Sequence, residues 1–147
     1  MTTRSRRVRP VKPVPIERAL LILPEPLEKI LRGQKIWELR SRPTNIRGRI
    51  ALAAAGAASI RGTCIITDWI GPLTYKVLLA HAGQAGKARS EIIDEREEWE
   101  LRCKSGGLFA WVLERPRRLP RPVYHRNPPG AVTWVRLPPR VSKRLGA

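Results

Sequence analysis

Read for the alternation of apolar and polar positions, the chain divides into short elements separated by glycine and proline. Ala19 to Leu23 is a continuous apolar run ended by Pro24, the pattern of a short strand buried on both faces. Leu27, Ile30 and Leu31 then share one helical face, and Gly33 supplies the stop, predicting a helix of one to two turns. Lys35 to Arg40 reads as a strand with Trp37 and Leu39 on one side and Glu38 and Arg40 on the other. Gly48 to Ala54 and Ile60 to Trp69 are further strands, divided by a small-residue turn around Gly56.

Beyond Gly71-Pro72 the period changes. Leu73 to Ala80 predicts a helix with Val77 and Leu78 facing the core. Ser90 suits the N-cap of a helix running to about Arg102, with Ile92, Trp99 and Cys103 on its inner face. Leu108 to Leu113 is a strand, and Val132 to Leu137 is the last one before Pro138-Pro139 closes the fold. Between them, Arg115 to Gly130 holds five prolines, which confines it to an extended loop or a sheet edge. The expectation is an α+β fold, a small mixed β-barrel or curled sheet of about six strands with about three peripheral helices.

At 147 residues one core of ordinary size accounts for the chain, expected over residues 16–138. Residues 1–15, with Arg4, Arg6, Arg7, Arg9 and Lys12, read as a flexible basic arm, and residues 139–147 as a basic tail. The formal net charge of +17 goes far beyond what solubility requires and points to a polyanionic partner, since each cation set against a phosphate releases a counterion. Six of the twelve acids (Glu91, Asp94, Glu95, Glu97, Glu98 and Glu100) fall in one stretch with the single base Arg96, and they read as the solvated face of the Ser90 helix.

Cys64 and Cys103 are far apart, as are His81 and His125, so no zinc spacing is present; neither a metal nor a cofactor is expected. Ala19 to Leu23 is too short for a signal-peptide core, and no long apolar segment accompanies the basic ends. The chain therefore reads as a cytoplasmic protein with free thiols and no membrane partner.

The candidate chemistry lies in Gly33-Gln34-Lys35-Ile36-Trp37-Glu38-Leu39-Arg40, which has the pattern G-x-K-x-x-E-x-R. Strand geometry places Glu38 and Arg40 on one face, whereas Lys35, three residues before Glu38, needs either a bulge or a place in the turn before pairing begins. These charges read in two ways, as a fold-stabilising ion network or as a polar binding site.

The motif's pattern and its place after a first strand and short helix resemble the ASCH domain family, which is related in fold to PUA RNA-binding domains. Gly48-Arg49, Gly62, Ala110-Trp111-Val112 and the run from Gly130 to Val135 extend the likeness across most of the chain. The resemblance implies a cleft for RNA, another nucleic acid or a nucleotide-like ligand. There Lys35 and Arg40 would meet phosphate or a base edge, and Glu38 would orient Arg40 or accept a hydrogen bond from a base. Arg42, Arg47 and Arg49 would form a positive rim. Trp69 is the candidate for a stacking ring, and Tyr124 with His125 for the opposite wall.

Some ASCH relatives are hydrolases, so an enzyme acting on RNA or a nucleoside stands as the alternative. In the branch that deacylates a modified cytidine, the lysine is coupled to a threonine three residues on and to a distant carboxylate. Here Glu38 occupies the threonine position, and Asp68 is the candidate acid. A ribonuclease reading would use Lys35 to stabilise charge on phosphate, with Glu38 or Asp68 as base or metal ligand.

Overall fold

The computed structural model describes residues 14–146. Most of the expected N-terminal arm (residues 1–13), together with Ala147, lies outside the described residues. Six strands run β1 (Arg18–Ile22), β2 (Trp37–Arg40), β3 (Gly48–Ala54), β4 (Ser59–Ile70), β5 (Phe109–Tyr124) and β6 (Trp134–Arg136). Five helices accompany them among the described residues: α1 (Pro24–Leu31), α2 (Tyr75–Ala80), α3 (Arg89–Asp94), α4 (Arg96–Lys104) and α5 (Pro139–Arg144).

The strands form one mixed sheet in the order β2-β5-β4-β3-β1-β6, curled into a half-barrel. Parallel pairing of β1 with β3, from Ala19 opposite Ala51 to Ile22 opposite Ala54, puts two apolar runs side by side at its centre. Both faces there are covered, which is why neither strand alternates. One face packs Ala19, Leu21, Ala51, Ala53 and Val135 beneath Val141 and Leu145. The other packs Leu20, Ile22, Ile50, Leu52, Ile66 and Trp111 around Leu27 and Ile30 of α1. A third cluster joins Trp37, Leu108 and Ala110 to Leu73, Leu78, Ile92 and Trp99 of the helical lobe α2–α4.

Helix α1 begins on Leu23 without a side-chain cap, but Pro24 and Pro26 in its first turn remove two N–H groups that would otherwise lack partners. Its end packs closely on the sheet at Gly62, where a Cβ would stand 2.3 Å from Leu31 and 2.6 Å from the Arg117 carbonyl. Glycine is therefore required for α1 to sit inside the half-barrel.

No backbone ladder joins β2 to β6, the outer strands of the sheet. Side chains span the gap. Trp111 of β5 stacks on Trp134 of β6 at 5.9 Å, and Arg40 of β2 donates to the Leu21 carbonyl of β1 at 2.9 Å.

Strand β5 has two halves. Phe109 to Val112 pairs with both β2 and β4, while from Glu114 onward only β4 is its partner. Pro116, Pro120 and Pro122 all fall in this second half, which is the sheet edge that proline content required.

Three expectations are corrected. The helix expected from Ser90 to Arg102 is two helices meeting at Glu95; its N-cap is Ala88, whose N–H is held by the Glu91 carboxylate at 3.2 Å. Crowding of Asp94, Glu95, Glu97 and Glu98 at helical spacing opposes one continuous helix there. Val77 faces outward while Leu78 is buried, because α2 is a short helix starting on the Thr74 cap. Pro138-Pro139 does not end the ordered chain: Pro139 opens α5, since a proline in a helix's first turn loses no hydrogen bond, and Val141 and Leu145 then enter the core.

Candidate functional site

Lys35 lies in the bend before β2 rather than on the strand. The loop between α2 and α3 clamps this bend: the Gln84 carbonyl accepts from the N–H groups of both Ile36 and Trp37 at 2.9 Å. His81 stacks on the Trp37 ring at 5.0 Å. Gly86 passes directly over the lysine stem, where a Cβ would lie 2.9 Å from Lys35 Cβ, and its φ of +72° is a left-handed value suited to glycine. The Gly86 carbonyl in turn accepts from Lys29 Nζ at 2.9 Å.

Held in this way, Lys35 is 6% exposed. Its Nζ donates to the Trp37 carbonyl at 2.7 Å and the Ala85 carbonyl at 3.2 Å, and lies 3.6 Å from Glu38 Oε1. An ammonium has three protons, and three acceptors surround it. Burial lowers its pKa, the Glu38 carboxylate counters part of that effect, and the charge of Lys87 adds to the lowering.

The other Glu38 oxygen, Oε2, faces Arg40 Nη2 at 3.5 Å. Arg40 is 23% exposed, and its guanidinium also lies 5.7 Å from the Trp111 ring. Strand alternation thus places Glu38 and Arg40 together as expected, and Lys35 joins them from the turn. The network both ties β2 to β1 and fixes a carboxylate in one orientation.

Two adjoining cavities open on either side of this pair, of about 480 and 490 Å³, and Leu23 and Pro26 line both. Glu38, Arg40 and Arg102 line the first, with apolar surface from Leu21, Ala55 and Val132. Lys29, Lys35 and Lys87 line the second, beside Glu25 and Glu91. The ring of Trp99 supports the helical wall, with Arg102 at 4.6 Å and Lys87 at 5.5 Å from its centroid. The result is an open cleft with Lys35 and Glu38 in its floor, the β1–α1 junction on one side and the helical lobe on the other.

The remaining sequence candidates lie elsewhere. Asp68 is 69% exposed, its carboxylate stands 3.8 Å from Arg47, and it lines neither cavity beside Lys35. Trp69 is half-buried, edge-on to Phe109 at 5.6 Å, and is packed on the core rather than on the cleft. Tyr124 and His125 close the far end of β5, paired near Ser59, thirteen residues along the strand from Trp111, which faces Glu38. Arg42 is exposed near the cleft side of the loop, its carbonyl accepting from Trp111 Nε1 at 2.7 Å. Arg47 and Arg49 line a separate cavity at the beginning of β1 and β3.

Sequence reasoning missed Lys29, Lys87 and Arg102. Arg102 and Lys87 flank an acidic stretch and carry no motif, so only the folding of the helical lobe onto β2 reveals them. Among the described residues, no group of three or more His, Cys, Asp or Glu side chains is placed to hold a metal ion, and no helix is long and apolar enough to cross a membrane.

No protein-family model matches the chain, and no curated protein matches it in sequence. Solved structures do match. The crystal structure of ASCH from Zymomonas mobilis is similar with a TM-score of 0.62 at 20% identity, covering 88% of this chain and 92% of that one. Two mutant forms of ZmASCH give TM-scores of 0.62 at 21% identity (88% and 95% covered) and 0.61 at 20% identity (90% and 96% covered). The chain therefore has the α+β fold of these ASCH structures.

Proposed function

We propose that this ASCH-fold chain binds RNA, seating a nucleotide in the cleft over Glu38 and Arg40. The observation that carries the reading is the Glu38 carboxylate, held on one oxygen by Lys35 and on the other by Arg40 at the floor of an open cavity. Each oxygen keeps acceptor capacity beyond those contacts, suited to an amino or imino N–H on the pairing edge of a base. Arg40, Arg102, Lys87 and Lys29 supply cations for phosphate, and Leu23, Pro26, Ala55 and Val132 offer apolar contact to a base or sugar. The +17 charge supports a polyanion over a neutral metabolite.

In this reading Lys35 is a positioning residue. Its protons are directed to two carbonyls and a carboxylate, so it reaches phosphate only by giving up buried hydrogen bonds. A hydrolase would need that amine, or Glu38 freed from its two cations, at the reacting atom. The resting geometry favours binding.

The test is equilibrium binding of a fluorescent single-stranded RNA to wild type, Glu38→Gln and Arg40→Gln, with thermal melts to verify folding. Loss of a charge-assisted hydrogen bond predicts affinity reduced by roughly tenfold or more in each. Wild-type affinity in both folded variants removes the cleft from the binding surface.

A further inference from the structure

Among the described residues Glu38 is the one acid lining the cavity that also holds Arg40 and Arg102. Its two oxygens face different cations: Lys35 Nζ lies 3.6 Å from Oε1, and Arg40 Nη2 lies 3.5 Å from Oε2. A carboxylate set between two cations offers a ligand acceptors only.

The two cations are not equivalent. Lys35 directs its three protons to the Trp37 carbonyl, the Ala85 carbonyl and Glu38 itself, and keeps none for a ligand. Arg40 meets the Leu21 carbonyl at 2.9 Å and Glu38 at 3.5 Å, both through Nη2, while its Nη1 and Nε make no hydrogen bond among the described residues. A guanidinium has donors to spare on those nitrogens. Across the floor of the cavity the polar groups therefore run donor, acceptor, acceptor: Arg40, Glu38 Oε2, Glu38 Oε1.

Of the RNA bases, guanine alone presents the complementary order on its pairing edge, with the O6 acceptor, the N1–H donor and the N2 amino donor in a row. Uracil matches with O4 and N3–H but sets its O2 against Oε1. Adenine and cytosine each place a ring-nitrogen acceptor beside a single amino donor, so lone pair meets lone pair at the carboxylate. The walls suit a flat ring. Leu23 and Val132 are large apolar side chains left 66% and 78% exposed, and both line this cavity of about 480 Å³, together with Pro26 and Ala55.

We infer that the cleft selects guanine, with its pairing edge seated on Glu38, O6 toward Arg40 and the N2 amino group toward Oε1. This rests on the RNA-binding reading and adds the base to it. Because the pairing edge is occupied, the guanine must be unpaired, which limits the ligand to single strands, loops and ends. Lys87 and Arg102, set against the Trp99 ring on the helical wall, serve phosphate whichever base is bound and add affinity without choice.

The experiment measures binding of a set of fluorescent single-stranded RNAs of about seven nucleotides, all adenosine except for a central guanosine, inosine, uridine, cytidine or adenosine, at one fixed salt concentration. Inosine lacks only the N2 amino group. Wild type is expected to bind the guanosine RNA about tenfold or more tighter than the adenosine and cytidine RNAs, and several-fold tighter than the inosine and uridine ones. Glu38→Gln, verified as folded by thermal melt, is expected to level these differences. Equal wild-type affinity for guanosine and inosine, or tighter binding of any other base, overturns the choice of guanine without recourse to a variant; if Glu38→Gln then weakens the whole set alike, the RNA-binding cleft stands without it. A guanosine preference that folded Glu38→Gln retains also overturns it, because the base is then read elsewhere. Failure of wild type to bind any RNA of the set overturns both readings.

Discussion

Lys35 Nζ lies 3.6 Å from Glu38 Oε1 while also donating to two backbone carbonyls, so the lysine of the motif is spent on orienting its glutamate. Removing it leaves a buried carboxylate short of a partner and two carbonyls unsatisfied. Lys35→Ala is expected to lose about 3–5 kcal/mol in urea unfolding, as for other half-broken buried pairs. Glu38→Gln, which keeps the shape and a hydrogen-bonding group, is expected to lose less. A Lys35→Ala stability within 1 kcal/mol of wild type, roughly the value of an exposed pair, would contradict the buried geometry.

Gly86 is the second support of that lysine. Its left-handed φ of +72° and the 2.9 Å approach to Lys35 Cβ both exclude a side chain. Gly86→Ala is expected to destabilise by about 1–3 kcal/mol and to weaken RNA binding, since the loop that holds Lys35 must lift. Gly83→Ala, nearby in the same loop with open space around it, is the control and should change neither.

At Arg115 the sign reverses. A residue other than glycine at φ 49° carries about 1 kcal/mol of strain or more, so Arg115→Gly is expected to raise the melting temperature. A lower melting temperature would mean that the Arg115 side chain supports the fold.

Burial pushes the Cys64 thiol from 9.0 up to about 12. Because its folded pKa lies above the unfolded one, the stability it contributes is complete below pH 9 and is lost as pH rises between 9 and about 12. The native protein at pH 8 should leave Cys64 unmodified by a thiol reagent, with both cysteines reacting after unfolding. Rapid native labelling of Cys64 would contradict its burial. Half-buried Cys103, whose pKa burial also raises, should react slowly in the native protein.

The sheet was largely legible from local pattern. Ala19 to Leu23 and Gly48 to Ala54 carry the unbroken apolar runs of strands covered on both faces, and the prolines after Arg115 announced an edge. Helix boundaries were less so. Ser90 has the chemistry of a cap, but the start lies at Ala88, whose N–H the Glu91 carboxylate holds, and the helix breaks at Glu95 amid the crowded acids. At the site, alternation sufficed for Glu38 and Arg40, which are neighbours on one strand. It was silent on Lys35, whose place is set by a loop fifty residues on, at Ala85. Asp68, Trp69, Tyr124 and His125, offered from the family likeness and from their places at a strand end and in the proline-rich segment, line neither cavity beside Lys35, since the register between β4 and β5, which shifts three times, decides where they stand.

The central claim is that RNA enters the cleft over Glu38, and the most direct measurement is a titration of isotopically labelled protein with a short single-stranded RNA, followed by amide and side-chain NMR shifts. The account predicts that the largest shifts fall on Leu23, Glu38, Arg40, Lys87, Arg102 and Val132. Shifts confined to the basic chain ends, with these six unmoved at saturation, would contradict it.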